Sequence, residues 1–379
     1  MAQNITGGWP GIGNEIVANQ NQPSSTSPTP TVTAQNPFAA SGGTSLSPAA
    51  TPFNQVNSYF DRHLKSPYSE QWTLGTQQVL NSSTTMTLNY VGSTTKRMDV
   101  SGYYNTALTP GPGDPQSRNL YNYIVPSLYD RSVGSANYNA LQFSLNKRYS
   151  SGVGFDVSYT WSKTMDAGTD GPDGDVAGGV PQDPYDVRAF GSYSRAGFDI
   201  PNILAVNTLF QIPVGTGKRF STGNKLVDYF VGNWQINNIF SAHTGQPYSV
   251  TVSSDIANTG NAGDYETMNL VGNPNLRKRT PAEWFNTTAF QVPAGFTYGS
   301  AGRNLLRQAD SWNLDSSVFR QFPLGESRSF QLRGEAFNIL NNTVFGTPAS
   351  DFNDGPTFGT ISSTYNTARQ LQLVAKFVF

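Results

Sequence analysis

The sequence predicts an all-β fold, a transmembrane antiparallel β-barrel, of which this chain supplies a carboxyl-terminal portion of about nine strands. Three observations predict it. Of 379 residues only 13% are charged, against about 25% in ordinary soluble proteins, while 12% are aromatic and 37 are Gly. Asn, Gln, Ser and Thr stand where charge is missing, the balance required of a wall with lipid on one side and a polar interior on the other. Segments of about ten residues alternate apolar and polar side chains, the period of a strand with one greasy face. Tight turns and long connections alternate along the chain, as they do between the two rims of a membrane barrel. No run approaches the roughly 18 apolar residues of a membrane helix, so a closed sheet is the remaining way to span. The mean hydropathy of -0.41 agrees, because a barrel strand gives lipid only every second side chain.

Residues 1–65 are rich in Pro, Ser, Thr, Asn and Gly and predict an irregular external loop or tail with no core of its own. The barrel portion is predicted over 66–379. Tyr68–Leu80 places Trp72 and Leu74 on one face with Tyr68, and Asn81-Ser82-Ser83 turns the chain. Met86, Leu88 and Tyr90 then alternate with Thr85, Thr87 and Asn89, which completes a hairpin. Thr94–Asn137 reads as a long irregular segment. Leu141, Phe143 and Leu145 alternate with Gln142, Ser144 and Asn146; after the turn Ser150-Ser151-Gly152, Phe155, Val157, Tyr159 and Trp161 alternate with Asp156, Ser158 and Thr160. Asp166–Tyr185 is the next loop and Asn202–Ile212 the next strand, with Leu204, Val206 and Phe210 on its apolar side. The connection Pro213–Val231 has room for a short helix near Lys225–Phe230. Trp234–Val252 returns, interrupted by Gly245-Gln246-Pro247 at an expected bulge or bend. After the very long segment 253–311, Trp312–Phe322 and Arg328–Asn338 form a hairpin, 341–368 is the last loop, and a strand ends at Phe379. An odd strand count cannot close edge to edge in antiparallel fashion, so the chain reads as the end of a wider barrel.

Lys plus Arg number 24 against 25 Asp plus Glu, so the chain has no basic footprint for nucleic acid. Cys is absent, which removes disulfides, thiolate metal sites and cysteine nucleophiles together. His63 and His243 lie far apart in sequence and read as surface or rim residues. Met1–Gly13 has neither a basic start nor an apolar core, so it is no secretory signal, and the chain is expected to be a piece of a longer precursor.

Particular blocks resemble a family. NLVGNPNL at Asn269–Leu276, EWFNTTAF at Glu283–Phe290 and YGSAGRNLLR at Tyr298–Arg307 resemble the late long loop of Oar-like TonB-dependent receptors, which carry a carboxypeptidase-regulatory-like domain and abound in acidobacteria. PYSEQW at Pro67–Trp72, VGTGKRF at Val214–Phe220, GNWQ at Gly232–Gln235, GEAFNILN at Gly334–Asn341 and FGTI at Phe358–Ile361 follow in the family's order. The last residues are similar to the terminal signal read by the barrel-assembly machinery, with Leu371, Leu373, Phe377 and Phe379 on its apolar face. The resemblance implies a plugged barrel of about 22 strands in the outer membrane of a Gram-negative cell. It also implies as partners outer-membrane lipid, the remainder of the barrel and plug, and a TonB complex engaged only through amino-terminal parts. The function implied is that of a transporter or receptor segment, forming lumen wall and external ligand-capture loops. Two other readings compete: a soluble or surface-attached all-β adhesion module, and a passive porin.

Candidate sites follow from the same patterns. Gln142, Asn146, Asp156, Asp315, Arg333 and Glu335 are expected to face the lumen. Tyr121, Tyr123 and Tyr129 in one loop, and Trp284 with Phe285 in another, suit stacking platforms for sugars or peptides, but loop cores and interfacial girdles, which need no ligand, are the preferred reading. Asp166, Asp170, Asp173 and Asp175 in DAGTDGPDGD suit calcium or a solvated loop, without the EF-hand offsets. Gly215-Thr-Gly-Lys218 fails as a phosphate loop, since Ile212 stands where a Gly is needed and Arg219 where Ser or Thr is needed. No catalytic grouping, cofactor or other metal site is predicted, and the chain reads as no enzyme.

Overall fold

The computed structural model describes residues 58–121, 126–167, 181–189, 192–221, 223–261, 266–325 and 328–379. Nine long strands form one antiparallel sheet in simple up-and-down order. They are β1 (Tyr68–Asn81), β2 (Thr84–Tyr104), β3 (Ser127–Ser150), β4 (Val153–Ala167) and β5 (Asn202–Gln211), followed by β6 (Gln235–His243), β7 (Ser311–Pro323), β8 (Ser329–Phe337) and β9 (Gln370–Val378). Every strand pairs with its neighbours in sequence, so the whole sheet is built from hairpins.

Register explains the two faces. Residues directly opposite in an antiparallel pair point to the same side. One such row runs Leu88, Phe143, Tyr159, Leu204, Ala242, Trp312 across six strands. The next row of that face runs Met86, Leu145, Val157, Val206, Phe240, Leu314. The intervening rows carry Thr87, Ser144, Ser158, Ala205, Ser241, Asn313 and, one step on, Thr85, Asn146, Asp156, Asn207, Ile239, Asp315. The polar face is interrupted by Ile203, Leu209 and Ile239. On β7 the apolar face runs from Trp312 to Phe322, about ten steps of 3.4 Å, or about 24 Å when tilted by roughly 45°, the height of a barrel's lipid band.

A soluble sandwich would cover that apolar face with a second sheet. Here it is left open: Leu74 is 77% exposed and Leu373 87% exposed. The outermost strands β1 and β9 pair on one side only, and among the described residues neither edge meets the other.

The three tight connections, β1–β2, β3–β4 and β7–β8, lie at one rim together with the longer β5–β6 connection. Ser151 and Gly152 both take positive φ (52° and 82°), the geometry of a primed hairpin turn, while the β5–β6 connection holds the helix α1 (Lys225–Val231). At the other rim the strands differ from expectation. β2 continues to Tyr104 and β3 begins at Ser127, in register throughout apart from an irregularity near Met98, so most of the segment expected as irregular is a protruding ribbon. At its base, Ser93–Lys96, both faces are polar, so the apolar contrast vanishes there while the hydrogen-bonded ladder continues. Beyond His243 the chain does not bend and continue but leaves the sheet: Pro247–Tyr248 pairs with Leu306–Arg307, and Thr251–Val252 with Glu266–Thr267. Ser58–Phe60, within the segment expected to be irregular, pairs in parallel with β3.

Candidate functional site

The six residues expected to face the lumen share the polar face. Asn146, Asp156 and Asp315 lie in a single row, the last two separated by three strand spacings, about 14 Å. Asn146 Nδ2 donates to Asp156 Oδ1. Asp315 Oδ1 accepts from Asn313 Nδ2 (2.8 Å) and from the Asn338 backbone N–H (2.8 Å). Arg333 Nη1 donates to Glu335 Oε1 at 3.2 Å, with its guanidinium 4.9 Å from the Phe319 ring centroid. Gln142 stands between Asn89 and Thr160 in register. These side chains are distributed along a wall and form no single cluster.

At the rim of long connections the loops fold together, with the 244–310 loop at the centre. From the 105–121 loop, the Ala107 N–H donates to Thr259 O (2.8 Å) and Arg118 Nη2 to Asn258 O (2.6 Å). From the β4–β5 connection, Gln182 Oε1 accepts from Thr267 N–H (3.0 Å), and Asn304 Nδ2 donates to Arg195 O (2.8 Å). From the β8–β9 connection, Gly359 O accepts from Trp284 N–H (2.8 Å) and Ile361 N–H donates to Pro281 O (2.7 Å). A hydrophobic core sits inside this assembly, built on Tyr248, Val250, Met268, Trp284, Phe285, Phe290 and Leu306 with Ile361 from the last loop. Gly299 is required for it, since a Cβ there would lie 1.7 Å from Thr267 O.

That placement decides between the two expectations for the loop aromatics. Phe285 is 1% exposed and meets Phe290 and Phe358 edge to face, while Trp284 Nε1 donates to Arg307 O at 3.1 Å. Neither ring face is open to a ligand, so both belong to the loop core and the platform reading is corrected. Tyr129 is half-buried against Tyr104, which also meets Tyr185 and lies under the Arg131 guanidinium at 4.2 Å. Tyr121 is exposed at the loop surface, its backbone bonded to Asn105, and Tyr123 lies outside the described residues.

Two buried ion pairs tie the cap to the strands. Arg303 pairs with Asp166 at the end of β4. Arg307 pairs with Asp199 and also donates from Nη1 to Asp199 O and Gly245 O, each at 2.9 Å. Asp199 accepts in addition from the Thr164 N–H at 2.6 Å. Asp166 thus serves the loop anchor, which corrects its place among the calcium candidates; Asp170, Asp173 and Asp175 lie outside the described residues. Burial raises the Glu266 carboxyl to about 7 despite its bonds from the Ala257 and Ile256 N–H groups, and Asp255 adds to the rise. Sequence reasoning missed Arg303, Arg307 and Asp199. Their one signal was charge inside a chain that uses little of it, with nothing to say which charges meet.

The terminal residues Leu371, Leu373 and Phe377 share the apolar face with Ala336, Gly334 and Phe330 of β8, and Phe379 lies 6.2 Å from Phe377 between ring centroids.

A protein-family model described as "Outer membrane beta barrel domain" matches residues 2–372. Among solved structures, the outer membrane transporter YddB from Escherichia coli is 12% identical with a TM-score of 0.43, over 86% of this chain and 34% of that one. BauA, the ferric preacinetobactin receptor from Acinetobacter baumannii, is 11% identical with a TM-score of 0.41, over 82% and 29%. The ferripyoverdine receptor of Pseudomonas aeruginosa is 10% identical with a TM-score of 0.41, over 83% and 28%. The chain therefore spans about a third of the length of these proteins. No curated protein matches.

Proposed function

Starting from the fact that this chain belongs to the outer membrane beta-barrel domain family, we propose that it is the carboxyl-terminal wall of a TonB-dependent receptor of the Oar-like type. In this reading the polar face lines the lumen, the tight turns face the periplasm, and the packed loop cap is the external surface that meets ligand. The observation that carries it is the sheet itself. One of its faces is apolar and the other polar, yet among the described residues the outer edges of β1 and β9 have no strand beside them, so the wall calls for further strands there. The sequence blocks that resemble Oar-like receptors support the finer assignment. Barrel-assembly machinery, a plug and a TonB complex acting on the amino-terminal parts complete the proposed machine.

The test is to export the chain with a signal peptide and reconstitute it, alone and joined in frame to the preceding half of an Oar-like barrel. The joined form is expected to migrate as a heat-modifiable closed barrel, and the chain alone to give no steady conductance in planar bilayers. A stable, reproducible channel from the chain alone would establish the passive-porin alternative instead.

A further inference from the structure

The apolar parity of the sheet carries several charged side chains, Glu70, Lys96, Lys147 and Lys163 among them, and Arg320 differs from these four in being buried. Arg320 is on the apolar parity of β7, opposite Leu332, and is 3% exposed. Among the described residues no carboxylate pairs with it, and its Nε and Nη1 have no hydrogen-bond partner. Its guanidinium lies between aromatic rings, 4.4 Å from the Phe322 centroid and 5.4 Å from that of Tyr229. Tyr229 comes from α1 and also lies 6.0 Å from Phe322. β6 begins only at Gln235, opposite Phe319, so past that point β7 keeps β8 on one side but has no strand on the other, where α1 supplies the neighbour.

The helix is inside out by the standards of water. Its one buried residue is Asp228, held by Ser221 Oγ at 2.6 Å, whereas Leu226 is 74% and Phe230 63% exposed. Such a helix is stable where its outer surface meets acyl chains and its flanks meet headgroups. The same connection carries Lys218, Arg219 and Lys225. Its apolar surface is continuous with the lipid-facing side of the sheet through Phe322, Phe330 and Phe377.

We propose that α1 is an interfacial helix lying in the bilayer surface at the tight-turn rim, and that Arg320 with the cations of this connection binds the phosphate of an anionic glycerophospholipid. The commitment to a glycerophospholipid rests on the periplasmic orientation given above; the helix's immersion rests only on membrane residence. Two of the Arg320 donors, Nε and Nη1, are unpartnered among the described residues, a phosphate diester is the acceptor available at that depth, and the ring faces hold the cation in place meanwhile.

The chain has no Cys, so Leu226→Cys gives a unique site for a nitroxide label on α1. The labelled full chain is placed in vesicles of pure phosphatidylcholine and in vesicles containing phosphatidylglycerol. Collision with oxygen and with a water-soluble nickel chelate reports depth, and retained lipid is counted by native mass spectrometry. The expected result is a label reached by oxygen and shielded from nickel, with deeper shielding and selective lipid retention in phosphatidylglycerol. Arg320→Gln is expected to lower phosphatidylglycerol retention about fivefold, the factor equivalent to roughly 1 kcal/mol per basic residue at a membrane surface. A label open to nickel in both vesicles overturns the interfacial helix. Immersion and retention that are the same in both lipids overturn the phosphate site, and this comparison needs no variant at Arg320 to fold.

Discussion

Replacing Arg307 by Met tests whether the loop cap is held by buried charge. The Asp199 side chain is 1% exposed and that of Arg307 19% exposed, so the substitution leaves a desolvated carboxylate with the Thr164 N–H as its remaining donor. Removing one partner of a buried pair costs about 3–5 kcal/mol. The partial exposure of Arg307 and the surviving donor place the expected cost near 3 kcal/mol, which raises the open population of the 301–310 segment roughly a hundredfold. Asp199→Asn added to Arg307→Met removes the stranded charge while keeping an acceptor for Thr164. It is expected to return all but about 1 kcal/mol, the residue reflecting the lost bonds to Asp199 O and Gly245 O. Amide hydrogen exchange across 301–310 in the membrane-embedded chain measures each step, with β7 as an internal control. Equal opening in the single and double variants, or a single variant within about 0.5 kcal/mol of the parent, would refute the reasoning.

Three further outcomes follow from the same geometry. Leu373→Lys on the apolar face of β9 is expected to destabilise the membrane-embedded wall by about 2–4 kcal/mol, and the neighbouring Gln372→Lys on the polar face by under about 1, read from denaturant unfolding in lipid. The Glu266 carboxyl titrates near 7 in the folded loop against 4.5 as a free side chain, so the folded loop holds this proton more tightly. Stability of the 255–267 region is accordingly full below about pH 4.5, declines as pH rises to about 7 and is level above, and Glu266→Gln abolishes the decline in exchange-derived protection at Ile256 and Ala257. Phe379→Ser, which removes the terminal aromatic without touching the β8–β9 ladder, is expected to lower the yield of membrane-inserted protein while leaving the folded fraction's stability unchanged; an unaltered yield in outer-membrane fractions counts against a terminal assembly signal.

The nine strands were legible because lipid on one side and polar surroundings on the other enforce a period of two, which sequence displays directly. The rule failed where that contrast ends. Ser93, Thr94, Thr95 and Lys96 continue β2, yet polar residues on both faces give no parity to read, and only the ladder with β3 shows them to be strand. The loops were opaque for another reason. Trp284 and Phe285 sit in a segment without periodicity, so nothing local separates a core aromatic from an exposed platform; the difference is made by Tyr248, Phe290 and Ile361 arriving from elsewhere in the chain. Arg320 is the opposite case. Its place on the apolar parity between Val318 and Phe322 was visible in the sequence, but its meaning depends on Tyr229, which only the folded α1 brings to it.

The chain thus answers two solvents with two ways of burying apolar surface, and the division bears on how its mouth works. Strands that face lipid need no core, so the wall has none of its own. A loop as long as 244–310 pays a large ordering entropy unless it builds a core, and this one does. Its two ends are also fastened to each other and to the wall: the Gly245 N–H donates to Asp310 Oδ1 at 3.0 Å, and Arg307 joins Gly245 O to Asp199. A cap closed at its base and cross-linked to three neighbouring loops cannot yield one flap at a time without exposing buried side chains and the Arg307–Asp199 pair. In the receptor role proposed for this chain, ligand passes the cap over a preorganised surface or by release of the cap as a unit, and the Arg307→Met variant, which loosens the base while sparing the core, separates those two routes.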